Sequence, residues 1–250
     1  MAANIAGRSH TGAVRATNQD WVAWHLGDDQ NTALMVVADG MGGYQGGEIA
    51  SRVAAEAVME ALVPELGKST AGDIDDGISG RLQTAFFVAN ERILERRSSD
   101  PALKKMGTTL VVVWLADGYA HIAHVGDSRC YLVRGGHLSC LTRDDTVVQN
   151  MLDDGSITEV DAPHVPFRNV LTRAVGALAQ VDVSYRRELI LPGDTLFLCS
   201  DGLTNSLTDT DLEGILTMNT NAESMVDALI ETALTNQASD NVSVVLLVQS

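Results

Sequence analysis

Two apolar runs in this chain end abruptly on the same dipeptide. Thr32 to Ala38 reads TALMVVA and Thr195 to Ser200 reads TLFLCS, followed at once by Asp39-Gly40 and Asp201-Gly202. A short, nearly continuous apolar run predicts a strand buried on both faces, which needs cover above and below. The carboxylate at its end then sits where a buried strand meets a rim. Asp127 in HVGDSR ends a strand in the same way, and Asp240 in SDNVSVVLLV begins one. The pairs Asp117-Gly118 and Asp154-Gly155 read as ordinary turns, because Gly accepts positive φ and Asp bonds its own backbone.

Around these strands the periodicity alternates between hairpins and helix pairs. From Glu48 the apolar residues Ile49, Val53, Ala57 and Ala61, with Ala50, Ala54, Val58 and Leu62, recur at steps of three and four and predict a helix ending near Pro64. Ile78, Leu82, Ala85, Phe86, Ala89 and Ile93 predict a second, with Arg92, Arg96 and Arg97 at its negative end. Strands are expected over 108–115, 119–125, 130–134 and 137–141, separated by turns short enough to make them antiparallel. Further strands are expected over 181–191, 195–200 and 242–248, and helices over 147–152, 209–216 and 222–235. Hairpins and paired helices, without strict βα alternation, give an α+β class. No linker or repeat divides the 250 residues, so 1–250 reads as a single domain.

Charge and composition exclude several functions. With 33 Asp plus Glu against 17 Lys plus Arg the formal net charge is −16, which disfavours a nucleic-acid partner held through phosphates. The first ten residues lack the pattern of a secretory signal, and no segment approaches the ~20 apolar residues that span a bilayer. A soluble cytoplasmic protein with no membrane partner is expected. Cys130, Cys140 and Cys199 lie in or beside strand-like runs and are expected to be reduced and near the core. His121 and His124, three apart in a strand, point to opposite faces and do not suit a shared metal.

If the four rim carboxylates converge, two of them ~5 Å apart repel by roughly 3 kcal/mol at an effective dielectric near 20, so a counter-charge is required. Oxygen donors with no His or Cys beside them select hard ions such as Mg²⁺ or Mn²⁺ over Zn²⁺. Gly40, lacking a β-carbon, lets its carbonyl turn toward such an ion. Arg15, alone, reads as a solvated surface residue. Beside an acidic metal site it becomes a candidate clamp for phosphoryl oxygens.

The order of motifs carries a resemblance. Gly12-Ala13-Val14-Arg15 to Asn18-Gln19-Asp20, Val37-Ala38-Asp39-Gly40-Met41-Gly42-Gly43, Gly107-Thr108-Thr109, Val125-Gly126-Asp127-Ser128-Arg129, Leu171-Thr172-Arg173-Ala174-Val175-Gly176, Leu198-Cys199-Ser200-Asp201-Gly202-Leu203 and Ser239-Asp240-Asn241 occur in this order. From about residue 7 to its end the chain resembles the bacterial branch of the metal-dependent PPM (type 2C) serine/threonine protein phosphatases. The resemblance implies a four-layer sandwich, two antiparallel sheets flanked by pairs of helices, with a flap segment at about 147–168. It implies hydrolysis of phosphoserine or phosphothreonine in proteins by a metal-activated water, opposing a Ser/Thr kinase.

It also implies roles. Asp39 would bridge two Mn²⁺ or Mg²⁺ ions, the Gly40 carbonyl would bind one, and Asp201 with Asp240 the other. Asp20 would act through metal-held water, Asp127 would join Asp201 at a third, looser metal site, and Arg15 would hold the substrate phosphate. Asn241 would steady the loop beside Asp240. Phosphoprotein substrates, a cognate kinase and a monomeric state are the expected partners and form. Three departures stand out: Gln19 where many relatives have Glu, Met41 where eukaryotic relatives have His, and Asp144-Asp145 where an Asp-His pair is common. Two other readings stay open at this point: a weakly catalytic phosphoprotein-binding relative, and a metal-dependent hydrolase of phosphodiesters.

Overall fold

The computed structural model describes residues 3–28, 30–42, 46–68, 74–218 and 220–249. Met1, Ala2 and Gly43 of the quoted motifs and termini lie outside them. Two antiparallel sheets face each other. The first runs β1 (Ala3–His10), β11 (Val242–Gln249), β10 (Thr195–Cys199), β7 (Arg129–Arg134) and β8 (His137–Cys140). The second runs β2 (Asp20–Leu26), β3 (Ala33–Met41), β5 (Leu110–Ala116), β6 (Tyr119–Val125) and β9 (Ser184–Leu189), with β4 (Gly107–Thr108) paired to the end of β3.

Strand alternation builds three apolar layers from these sheets. Met35 and Val37 of β3, Val111 and Val113 of β5, and Ile122 of β6 face Leu196, Leu198, Val245 and Leu247 across the space between the sheets. The intervening Leu34, Val36 and Ala38 turn the other way, against the helices α1 (Gly46–Leu62) and α2 (Ile74–Ser99). Ala50, Ala54 and Ala57 of α1 are fully buried, and their small side chains let the helix lie close on β3. On the far side Phe197, Val244 and Leu246 meet α5 (Asp209–Leu216) and α6 (Ala222–Thr235), with Phe197 stacked on Tyr131 at 5.0 Å. The order helix, sheet, sheet, helix is the expected four-layer α+β sandwich. Each large apolar side chain so buried contributes roughly 1.5–3 kcal/mol.

Most expected elements are present within two or three residues of their predicted ends. β1 and β2 are present without having been expected. Both are edge strands with one face half open, so their residues (ANIAGRSH and DWVAWHL) lack the continuous apolar run of a covered strand. Cys140, at the end of the edge strand β8, is exposed and not near-core, whereas Cys130 and Cys199 are buried as expected. His121 and His124 do point apart: His121 Nδ1 meets the Tyr185 hydroxyl at 2.7 Å, and His124 Nε2 meets the Arg143 carbonyl at 2.8 Å.

Antiparallel pairing fixes where the carboxylates go. A strand that ends lies beside a neighbour that begins, so the end of β3 abuts the start of β2, and the end of β10 abuts the start of β11. Leu110, which opens β5, pairs with Val125, which closes β6. Asp20, Asp39, Asp127, Asp201 and Asp240 therefore all lie at one end of the sandwich.

Candidate metal centre at the rim of the sandwich

Asp20 and Asp39 are direct cross-strand partners. Like charges directly opposite in a ladder are destabilising, so this register needs compensation. The Asp39 backbone is fastened by two threonines: its amide donates to Thr109 Oγ1 at 2.9 Å, and its carbonyl accepts from the Thr109 amide (2.9 Å) and Thr108 Oγ1 (2.8 Å). Gly40 donates its amide to the Gln19 carbonyl at 3.0 Å, and a Cβ here would stand 2.0 Å from the Gly47 carbonyl oxygen. Only glycine fits between the start of α1 and the Gln19 backbone.

Across the rim, the β10 and β11 side supplies the other ligand candidates. Asp201 follows β10 and faces the same cleft as Asp39. Asp240 precedes β11 and accepts from Arg15 Nη2 at 2.7 Å in a half-exposed pair, which contributes little to stability. Asn241 binds the N-terminal turn to this place. Its Nδ2 donates to the carbonyls of Thr11 (2.8 Å) and Thr17 (3.0 Å), and its Oδ1 accepts from the Gln19 amide at 2.8 Å. Gly12, at φ +82°, packs so closely that a Cβ would lie 2.0 Å from the Asp240 carbonyl oxygen. Asn241→Ala leaves these backbone groups unpaired, and we expect a loss of about 2–3 kcal/mol, read as a fall of roughly 5–10 °C in a thermal melt.

Burial and mutual repulsion raise the carboxyls of the rim. Burial, followed by the charges of Asp20, Asp201, Asp127 and Asp240, pushes the Asp39 carboxyl well above its ordinary 3.8. Burial and then Asp240 push Asp201 up as well. Burial raises Asp127 to about 7, with Asp201 and Asp144 adding to the effect. Asp20, only 4% exposed, is raised to about 6, chiefly by burial and against the lowering effect of its serine hydrogen bonds. Those bonds hold Oδ2 alone: Ser200 Oγ donates at 2.7 Å and Ser243 Oγ at 2.6 Å. Oδ1 of Asp20 is buried without a protein partner.

The carboxylates border a cleft of about 620 Å³ whose lining includes Arg15, Asp39, Asp127, Arg173, Asp201 and Asp240. Met41 lies on its wall. Among the described residues no three His, Cys, Asp or Glu side chains close into a ready-made cage; the acids ring the cleft. The donor set nevertheless fits divalent cations. It consists of carboxylate and carbonyl oxygens, includes a buried orphan oxygen on Asp20, and already recruits the Arg15 cation against Asp240.

Sequence reasoning missed Ser200, Ser243 and the supporting role of Thr108 and Thr109. Their common signal is a small hydroxyl inside or beside an otherwise apolar strand, where a buried hydroxyl needs a partner. Arg173 lines the cleft and pairs with Asp145 and Asp182.

The protein-family model described as protein phosphatase 2C matches residues 6–246. The chain is 35% identical over 240 residues to the serine/threonine phosphatase stp of Listeria welshimeri, covering 96% of this chain and 93% of that protein. Its fold is similar to that of the S. agalactiae serine/threonine phosphatase, with a TM-score of 0.90 at 30% identity over 99% of this chain and 100% of the other. It is likewise similar to the catalytic domain of the serine/threonine protein phosphatase PstP in complex with two manganese ions, with a TM-score of 0.83 at 33% identity over 98% and 97%.

Proposed function

The chain belongs to the protein phosphatase 2C family, and from that membership we propose how its own residues carry out metal-dependent hydrolysis of phosphoserine and phosphothreonine in proteins. Asp39, the Gly40 carbonyl, Asp201 and Asp240 would hold two Mn²⁺ or Mg²⁺ ions, with Asp20 acting from behind and Asp127 joining Asp201 at a third, looser position. The observation that carries this reading is the meeting of Asp39, Asp201 and Asp240, from three distant parts of the chain, on one cleft. Divalent cations held there supply Lewis acidity and lower the proton affinity of water near neutral pH.

The remaining chemistry belongs to side chains. Arg15 is more than half exposed at the cleft mouth, and its guanidinium can exchange Asp240 for two phosphoryl oxygens in fixed geometry. Ser200 and Ser243 hold one oxygen of Asp20, which leaves the other directed by the fold alone. Met41 has no exchangeable proton, so the residue that follows Asp39-Gly40 cannot serve as an acid. The segment at about 147–168, beside the cleft, would act as the flap of a single catalytic domain spanning 1–250. A cognate Ser/Thr kinase, a monomeric state and a cytoplasmic location complete the proposal. Among the described residues no helix is long and apolar enough to cross a membrane.

The test is phosphate release from a phosphothreonine peptide with Mn²⁺, with Mg²⁺ and after chelation, alongside an aryl phosphodiester. Metal-dependent release from the peptide alone is expected, and Arg15→Ala should lower kcat/KM by about 10²-fold. Release that survives chelation, or preferential cleavage of the diester, overturns the reading.

A further inference from the structure

The segment at about 147–168 leaves and rejoins the body at adjacent points. Thr146 and Leu171 form an isolated bridge, and the Val147 amide donates to the Val170 carbonyl at 2.9 Å. Thr146 also caps the helix α3 (Val147–Asp153), its hydroxyl accepting from the Gln149 amide. Immediately before this base lies Asp145, with its side chain 1% exposed and paired to Arg173. An unpaired carboxylate at that burial would be strongly destabilising, and here every contact is to a structurally placed group.

Asp145 Oδ2 accepts from the Gly126 amide at 2.9 Å, its own amide donates to the Gly126 carbonyl at 3.0 Å, and its carbonyl accepts from the Thr172 amide at 2.7 Å. Arg173 continues the connection, donating to Ser184 Oγ at 3.0 Å and Asp182 Oδ2 at 2.9 Å while facing the cleft. One carboxylate thus fastens the turn that carries Asp127, the strand by which the flap returns and, through Arg173, the start of β9. The nearby Asp144 is occupied separately, accepting both arms of Arg129 at 2.7 and 2.8 Å.

We propose that Asp145 and Arg173 are positioning residues, a buried buckle that closes the base of the 147–168 segment and, through the Gly126 amide, sets the turn presenting Asp127 to the cleft. The departure from the Asp-His pair common in relatives therefore has a structural consequence in this chain: an ion pair shuts the flap base. The functional half of the proposal rests on the phosphatase reading above, because it needs the cleft to be catalytic.

Amide hydrogen exchange on metal-free protein tests the buckle without any turnover, so it stands or falls apart from that reading. Asp145→Asn keeps an oxygen for the Gly126 amide but removes the charge. Val147 and Thr172 should then exchange about tenfold faster or more, while Gly126 stays protected and β10 is unchanged. Asp145→Ala should release Gly126 as well. In the metal-loaded enzyme Asp145→Asn should raise the KM for a phosphothreonine peptide about fivefold and leave that for a small aryl phosphate in place. Unchanged exchange at the base, equal acceleration in β10, or equal KM changes for both substrates would overturn the proposal. If the Asp145 variants do not fold, Arg173→Lys, which keeps a donor for Asp145 and loses the fork to Asp182 and Ser184, is read by the same exchange criteria alone.

Discussion

Asp39→Asn should abolish activity and at the same time stabilise the metal-free protein. Activity should fall by at least about 10³-fold, because the substitution removes the charge that the proposed centre places between its two ions. Stability should move the other way. Asp39 is the carboxyl pushed up by the largest company of like charges, Asp20, Asp201, Asp127 and Asp240, after burial itself. At pH 8 the unfolded chain has an ionised Asp at this position, and the folded protein must either protonate it or bury its charge. Asn requires neither and keeps the size of the side chain. The bonds from Thr108 and Thr109 go to the Asp39 backbone, so they survive the change. A gain of a few kcal/mol follows, or roughly 5–10 °C in a melt run in chelator. Phosphate release within tenfold of wild type, or a lower melting temperature in chelator, would contradict the assignment.

The same residues explain what the sequence could and could not reveal. Asp39, Asp127, Asp201 and Asp240 were legible because each interrupts or borders a run of apolar residues, and a charge at the end of a buried strand has few reasons to be there. The spans of α5 and α6 were legible too. Ser200 and Ser243 were not, since their partner Asp20 lies 180 and 223 residues away in the chain and only sheet register brings them together. Register is decided by the pairing of whole strands, and two of the four edge strands, β1 and β2, carry the weakest signal because half of each faces solvent. The Asp145–Arg173 pair was hidden for a related reason. Its 28-residue separation spans the flap, and nothing local in Asp144-Asp145 distinguishes the acid that binds Arg129 from the one that binds Arg173.

Metal removal should invert the response of stability to pH. In the metal-free protein Asp20 is raised from 3.8 to about 6 and Asp127 from 3.8 to about 7, and Asp39 and Asp201 move in the same direction. A carboxyl raised in the folded state keeps protons that the unfolded chain has released. Its contribution is neutral below the unfolded value and grows unfavourable as pH rises toward the folded one. Across pH 4 to 7 the loss is on the order of 3 kcal/mol from Asp20 and 4 kcal/mol from Asp127, before any contribution from Asp39 and Asp201. Other groups oppose them: burial pulls His124 below 6.5, so its neutral form gains stability as pH rises, and hydrogen bonds lower the surface carboxyls of Glu65, Asp153, Asp154, Asp161 and Asp211, whose contributions screening keeps small. The buried rim carboxyls outweigh these and leave a net decline, expected as a fall of roughly 15 °C or more in melting temperature between pH 4.5 and 7.5 in chelator. Divalent cations bind only the ionised carboxylates, so saturating Mn²⁺ should reverse the slope and add a further ~2.7 kcal/mol at a concentration 100 times the dissociation constant. The two curves must therefore merge at acid pH and separate as pH rises toward neutrality. A melting temperature that stays flat or climbs with pH in chelator, or a slope that Mn²⁺ leaves unchanged, would mean that the rim carboxylates do not form the cation site.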